Sequence, residues 1–194
     1  MSTVVAVETP TGIAIAGDTQ VVDGESVSSD QFQRVFDVRG VGVGVVGESG
    51  AVQQFRQWFD VALQDRGFEG DDTIDIDAVA RIAARETERA GVDAVVGAHD
   101  DDGAASLRQI ASDGRVLDSG VAALGTGSAV ALGLLEALDM DEAANDPATA
   151  VRNVLETVME RDVDTGGEID VWTLGSADQA EQGVRRFGEE EAKR

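Results

Sequence analysis

Two short apolar runs, Val4 to Val7 and Ile13 to Ala16, open the chain, residues from Arg34 to Val46 alternate with period two, and after Glu48 the apolar residues recur every three to four, so the chain predicts strands first and helices second. Ser2 to Val7 reads as a strand that turns at Thr9-Pro10-Thr11-Gly12 and returns as Ile13 to Asp18. Val21-Val22 and Ser26-Val27 form a second short excursion around Asp23-Gly24. Arg34 to Val38 alternates, turns at Arg39-Gly40 and continues as Val41 to Val46, a glycine-rich strand that lets another layer come close. Val52, Phe55, Trp58, Phe59 and Leu63 then predict a helix ending by Gly67. A loop at Gly70-Asp71-Asp72-Thr73 precedes a second helix on Ile74, Ile76, Val79, Ile82 and Ala83.

Val92 to His99 and Ala105 to Ala111 predict a strand pair around Asp100-Asp101-Asp102-Gly103, and Asp113-Gly114 turns into a short strand, Arg115 to Asp118. Gly125-Thr126-Gly127-Ser128 starts a helix from about Ala129 to Leu138, with Ser128 a candidate cap. Asp146-Pro147 opens a helix to about Asp162, with aspartate at the N-cap and proline in the first turn. Ile169 to Leu174 is a final strand, and Gln179 to Arg194 is a charged peripheral strand, helix or tail. Two antiparallel sheets packed face to face, with a helical layer outside each, would bury all of these apolar faces. Other α+β folds fit the same order. No linker or internal repeat divides the chain, so one domain over residues 1–194 is expected, with 175–194 peripheral.

Charge narrows the partners. Against 38 acids stand 15 bases, a net charge of −23 that disfavours nucleic acid and anionic membranes. The acids are spread along the chain, and Lys193 is the single lysine. In this the chain resembles proteins of salt-loving archaea, where a Debye length of roughly 3 Å at molar salt screens the self-repulsion. Asp71-Asp72, Asp100-Asp101-Asp102 and Glu189-Glu190-Glu191 therefore read as solvated surface and not as a metal site. Cysteine is absent, which excludes disulfides and thiolate metal ligands. With no long apolar run and no leader before the first strand, a soluble cytoplasmic protein is expected.

The opening hairpin carries the candidate chemistry. Ser2 stands directly behind Met1 at the head of a strand, and Asp18 ends the neighbouring one. Such a hydroxyl can be activated by its own freed α-amine. That amine has an unperturbed pKa of ~7.7–8.0, so roughly a tenth is neutral base at pH 7. The only histidine is His99.

The N-terminal stretch resembles the opening of proteasome β-type subunits and their bacterial HslV relatives, which are N-terminal-nucleophile (Ntn) hydrolases, and the HslV pattern matches Ser2 through Arg34 without a gap. The resemblance puts Ser2 at the catalytic threonine, Gly17-Asp18-Thr19-Gln20 at the Gly-Asp-x-Gln turn and Arg34 at the catalytic lysine. Gly47, at a strand-to-helix junction, matches the family's oxyanion glycine, and Thr126 the first hydroxyl of its Gly-Ser-Gly-Ser helix start. Arg161-Asp162-x-Asp164-Thr165-Gly166-Gly167-x-Ile169-Asp170-Val171 resembles the Arg-Asp-x-x-Ser-Gly-Gly-x-Ile-Asp-Val segment of archaeal β subunits, with Asp162 and Thr165 around the nucleophile's amine. The likeness covers about residues 2–175 and implies the αββα fold of the family.

Serine in place of threonine keeps the hydroxyl but loses the methyl that restricts its rotamer. Arginine in place of lysine keeps a charge that lowers the pKa of the amine and hydroxyl, yet cannot shuttle a proton at neutral pH. Met1 would have to be removed, as in HslV-type subunits. The first reading is a peptidase acting on peptide or unfolded-protein substrates inside a homo-oligomeric ring, fed by an ATP-dependent unfoldase, with no cofactor or metal. A catalytically silent ring or scaffold subunit is the alternative, favoured by Arg34, and an Ntn amide ligase or small-amide hydrolase is a third.

Overall fold

The computed structural model describes residues 2–24, 26–67, 75–176 and 182–187. The expectations for Met1, the loop Gly70 to Thr73, Ile74, Glu189 to Glu191 and Lys193 lie outside them, as does most of the peripheral segment.

The opening hairpin is β1 (Thr3–Thr9) and β2 (Gly12–Asp18), followed by a small exposed hairpin, β3 (Val21–Asp23) and β4 (Ser26–Ser29). β5 (Val35–Val38) and β6 (Val41–Val46) are joined by the Arg39-Gly40 turn, where both residues have positive φ (56° and 84°). Helices α1 (Ser49–Gln64) and α2 (Ile76–Ala90) follow, then β7 (Asp93–His99), β8 (Ala105–Ile110), β9 (Val116–Leu117) and β10 (Val121–Gly125). The chain closes with α3 (Ser128–Glu136), α4 (Met140–Ala143), α5 (Pro147–Met159), β11 (Ile169–Gly175) and β12 (Gln182–Phe187).

Among the described residues, two five-stranded antiparallel sheets run in the orders β10-β1-β2-β11-β12 and β5-β6-β7-β8-β9. They pack face to face through Val4, Ile13, Ile15, Val95, Leu107 and Trp172. The outer face of the first sheet, through Val5, Val7, Ala14 and Ala16, meets Leu135 of α3 and Val151, Leu155 and Val158 of α5. The outer face of the second meets Val52, Phe55, Phe59 and Leu63 of α1 and Val79 and Ile82 of α2. This is the expected four-layer αββα sandwich. Both faces of β1 are covered, which is why its sequence is an unbroken apolar run instead of an alternating one.

Four elements differ from the sequence reading. β10 was not expected, because Ala122, Ala123 and Gly125 have weak strand preference. Its pairing with β1, from Val7↔Val121 to Thr3↔Gly125, overrides that preference. Nor was α4, a single turn nucleated by Asp139, whose carboxylate accepts from the Asp141 and Glu142 amides. Ser128 is not a cap: it is the first residue of α3, and Gly127 takes the cap position. Helix α5 ends at Met159 and not near Asp162, because Asp162 turns away to collect hydrogen bonds described below. Trp58 is only half-buried, its ring lying 3.6 Å from the Arg89 guanidinium.

The sheets lie close where Gly42 faces Trp172. A Cβ at Gly42 would sit inside the indole ring, whose Nε1 donates to Asp37 Oδ2 at 2.9 Å. That bond satisfies the polar tip of a fully buried tryptophan. Gly42→Ala is therefore expected to destabilise the fold by about 1–3 kcal/mol through over-packing. A denaturant titration checks this, and an unchanged midpoint contradicts it.

Candidate active site

Ser2 is held by backbone before any side chain acts. It precedes the first residue of β1, is 1% exposed, and its carbonyl accepts from the Thr126 amide at 3.0 Å. Gly125 makes this approach possible: its φ is 93°, and a Cβ there would overlap the Ser2 carbonyl oxygen. Thr126 is thereby fixed next to Ser2 at the junction of β10 and α3.

A hydroxyl chain runs from this junction to Asp162. Thr126 Oγ1 donates to Asp162 Oδ2 at 2.6 Å, and Thr165 Oγ1 donates to the same oxygen at 2.7 Å. Thr165 Oγ1 also lies 2.7 Å from Thr3 Oγ1, which accepts from the Gly127 amide at 3.0 Å. A hydroxyl has one proton, and that of Thr165 goes to Asp162, so Thr3 donates to Thr165. Every proton thus points from the Gly127 amide toward the Asp162 carboxylate. Burial pushes that carboxyl up, but the Thr126 and Thr165 hydroxyls and the Asp164 amide outweigh it, leaving its pKa below the ordinary value.

Asp18 and Arg34 lie on the other side of β1. Asp18 is fully buried; its Oδ1 accepts from the Thr3 amide at 2.8 Å, and its Oδ2 from the amides of Gly166 at 3.2 Å and Gln20 at 3.3 Å. Arg34, 3% exposed, puts Nε 3.6 Å from Asp18 Oδ1 and donates from Nη2 to the Gln20 carbonyl at 2.5 Å. Its guanidinium carbon is 5.0 Å from the centre of the Phe32 ring. Burial raises the Asp18 pKa to about 6, against the pull of Arg34 and the three amides. Burial also lowers that of Arg34, with Asp18 opposing, and a guanidinium remains charged at neutral pH.

Ser2, Arg34, Gly47 and Thr126 line one cleft of about 640 Å³, together with Val21, Val22, Asp23, Ser28, Val46, Glu48, Ser49 and Gly125. Asp18, Asp162 and Thr165 stand behind this lining and reach it through Thr3, Arg34 and Thr126. Gly47 has a packing reason to be glycine, since a Cβ would come 2.7 Å from Val92 Cγ1. The seven residues singled out in the sequence are thus brought around the head of β1.

Thr3 was missed. It reads as an ordinary strand residue, and its role at the crossing of both networks appears only when Asp18, Gly127 and Thr165 converge on it. Gln20 and Gly166 stood in the family-like motifs, but their amide bonds to Asp18 were not foreseen. The one available signal was a hydroxyl in an otherwise apolar strand. No group of three or more histidine or carboxylate side chains among the described residues is placed to hold a metal ion, and no helix among them is long and apolar enough to cross a membrane.

Residues 1–174 match the family model described as Proteasome subunit. The chain belongs to the proteasome subunit family. No individually curated protein matches it. Proteasome subunits assemble into rings, and the αββα sandwich with a cleft at the head of β1 is consistent with such a subunit.

The buried Asp18 predicts a pH dependence. Its folded pKa, about 6, exceeds the ordinary aspartate value of 3.8, so between those two values the folded state holds a proton that the unfolded state has lost. The stabilisation present at low pH is therefore lost as pH rises through 6. Relative to Asp18→Asn, the wild type should lose up to about 3 kcal/mol between pH 4 and 7. Parallel stability profiles for the two proteins contradict this.

Proposed function

We propose that this proteasome-family chain is a β-type Ntn peptidase subunit, one domain over residues 1–194, that cleaves peptide bonds within a homo-oligomeric ring in the cytoplasm of a salt-adapted archaeon. The observation that carries this reading is the gathering of a buried strand-head hydroxyl, a cation and a glycine at one cleft, backed by a chain of hydroxyls ending on a carboxylate. Once Met1 is removed, the Ser2 α-amine accepts the proton of the Ser2 hydroxyl as Oγ attacks the scissile carbonyl. The Gly47 amide stabilises the resulting oxyanion, a contribution of roughly 3–4 kcal/mol for one donor. The protonated amine passes its proton to the leaving amine as the C–N bond breaks, leaving an ester on Ser2. Water, deprotonated by the same amine, then attacks the ester carbonyl, and the amine returns that proton to Ser2 Oγ as the ester bond breaks and the acid leaves.

Asp162, Thr126 and Thr165 orient the amine in this scheme. Arg34 contributes charge alone, lowering the pKa of the amine and of the hydroxyl. No cofactor enters. Unfolded protein as substrate and an ATP-driven unfoldase as supplier follow from the likeness to ring proteases.

The second reading, a silent ring or scaffold subunit, is favoured by one observation. Arg34 is buried, bonded to Asp18 and to the Gln20 carbonyl, and cannot exchange a proton. Hydrolysis of a fluorogenic peptide separates the two. The peptidase reading expects Ser2→Ala to lose on the order of 10³-fold or more, Ser2→Thr to remain active, and Arg34→Lys to stay within about tenfold of wild type. Activity that is absent in the wild type and appears only in Arg34→Lys supports the scaffold reading.

Assembly should depend on salt. At −23 per chain, the ring is expected to dissociate as salt falls from about 2 M to about 0.1 M, where the Debye length lengthens to about 10 Å. Light scattering reads the particle mass, and an unchanged mass over that range contradicts the expectation.

A further inference from the structure

The lining of the cleft beside Ser2 is uneven in charge. Val21, Val22 and Val46 supply an apolar wall, whereas Asp23 ends β3 and Glu48 caps α1, so two exposed carboxylates enter the lining from separate elements. Glu48 takes the N-cap position of α1, yet its side chain makes no capping hydrogen bond to the helix. Neither carboxylate has an ion-pair partner among the described residues. Arg34 is the cation in this lining, and it is buried against Asp18 and the Gln20 carbonyl. Ser2, 1% exposed, lines the same cleft.

We propose that this cleft selects peptide segments carrying arginine or lysine beside an apolar residue over segments carrying aspartate or glutamate, with Asp23 and Glu48 as the specificity-determining residues. The inference names the substrate class of the peptidase reading and rests on it for turnover, though not for binding. The acidic surface as a whole would draw in any cation. At molar salt, however, screening acts within roughly 3 Å, and only carboxylates in contact with the bound peptide still discriminate.

The test is fluorescence anisotropy at molar salt with three labelled peptides that differ at one position, Arg, Gln or Glu, next to an apolar residue. The proteins are the wild type, the double variant Asp23→Asn/Glu48→Gln, and a control, Asp101→Asn/Asp102→Asn. The control lies in the β7–β8 turn, at the end of β7 remote from the Val46↔Asp93 pair beside the cleft. The wild type and the control are expected to bind the Arg peptide about tenfold tighter than the Glu peptide, and the cleft variant less than about threefold tighter.

Equal or undetectable binding of these peptides by the wild type overturns the proposal. So does a preference that survives in the cleft variant, or one lost equally in the control. Hydrolysis of the Gln peptide in the same wild-type samples reads the peptidase assignment separately. Discrimination in binding without hydrolysis overturns that assignment and leaves the selectivity standing, and hydrolysis without discrimination does the reverse.

Discussion

Antiparallel pairing of β1 with both β2 and β10 is the constraint on which the site depends. Two ladders hold the strand from either side, and apolar layers cover both of its faces, so the residues at its head have almost no freedom left. Ser2 inherits that rigidity through its carbonyl bond to the Thr126 amide. A side chain placed this way needs little reorganisation before it acts, the kind of positioning from which much of an enzyme's advantage over solution chemistry arises. The positive φ of Gly125 is the local condition that allows it.

Around that fixed point the electrostatics divide in two. On one side, neutral hydroxyls of Thr3, Thr165 and Thr126 converge toward an ionised Asp162. On the other, Asp18 and Arg34 form a buried ion pair whose desolvation is only partly offset by three backbone amides, one backbone carbonyl and an aromatic face. Buried pairs of this kind contribute little net stability, and removing one partner alone is costly. The pair is better understood as holding a positive charge beside Ser2 in a fixed place. An arginine carries that charge permanently but cannot transfer a proton at neutral pH.

The layered fold was legible because its apolar periodicity switches cleanly and because both faces of β1 and β2 are buried. β10 was not, since its ladder with β1 joins residues more than a hundred positions apart and its own sequence is alanine- and glycine-rich. α4 escaped because one helical turn leaves no periodicity to detect. In the site, the residues that resemble family motifs were readable one by one, because a hydroxyl or carboxylate next to a glycine-rich turn is conspicuous. Thr3 and the backbone of Gln20 and Gly166 were not, since their parts are defined by what folds against them. Arg34 was conspicuous in the sequence, but its lock onto the Gln20 carbonyl needed the third dimension.

The central claim, that Ser2 works as an N-terminal nucleophile, is tested most directly by intact-mass spectrometry of the natively expressed protein before and after exposure to an N-terminus-directed epoxyketone. The account predicts a chain lacking Met1 and a covalent adduct that maps to Ser2. A chain that keeps Met1 and takes no adduct would contradict it and assign the sandwich to assembly alone.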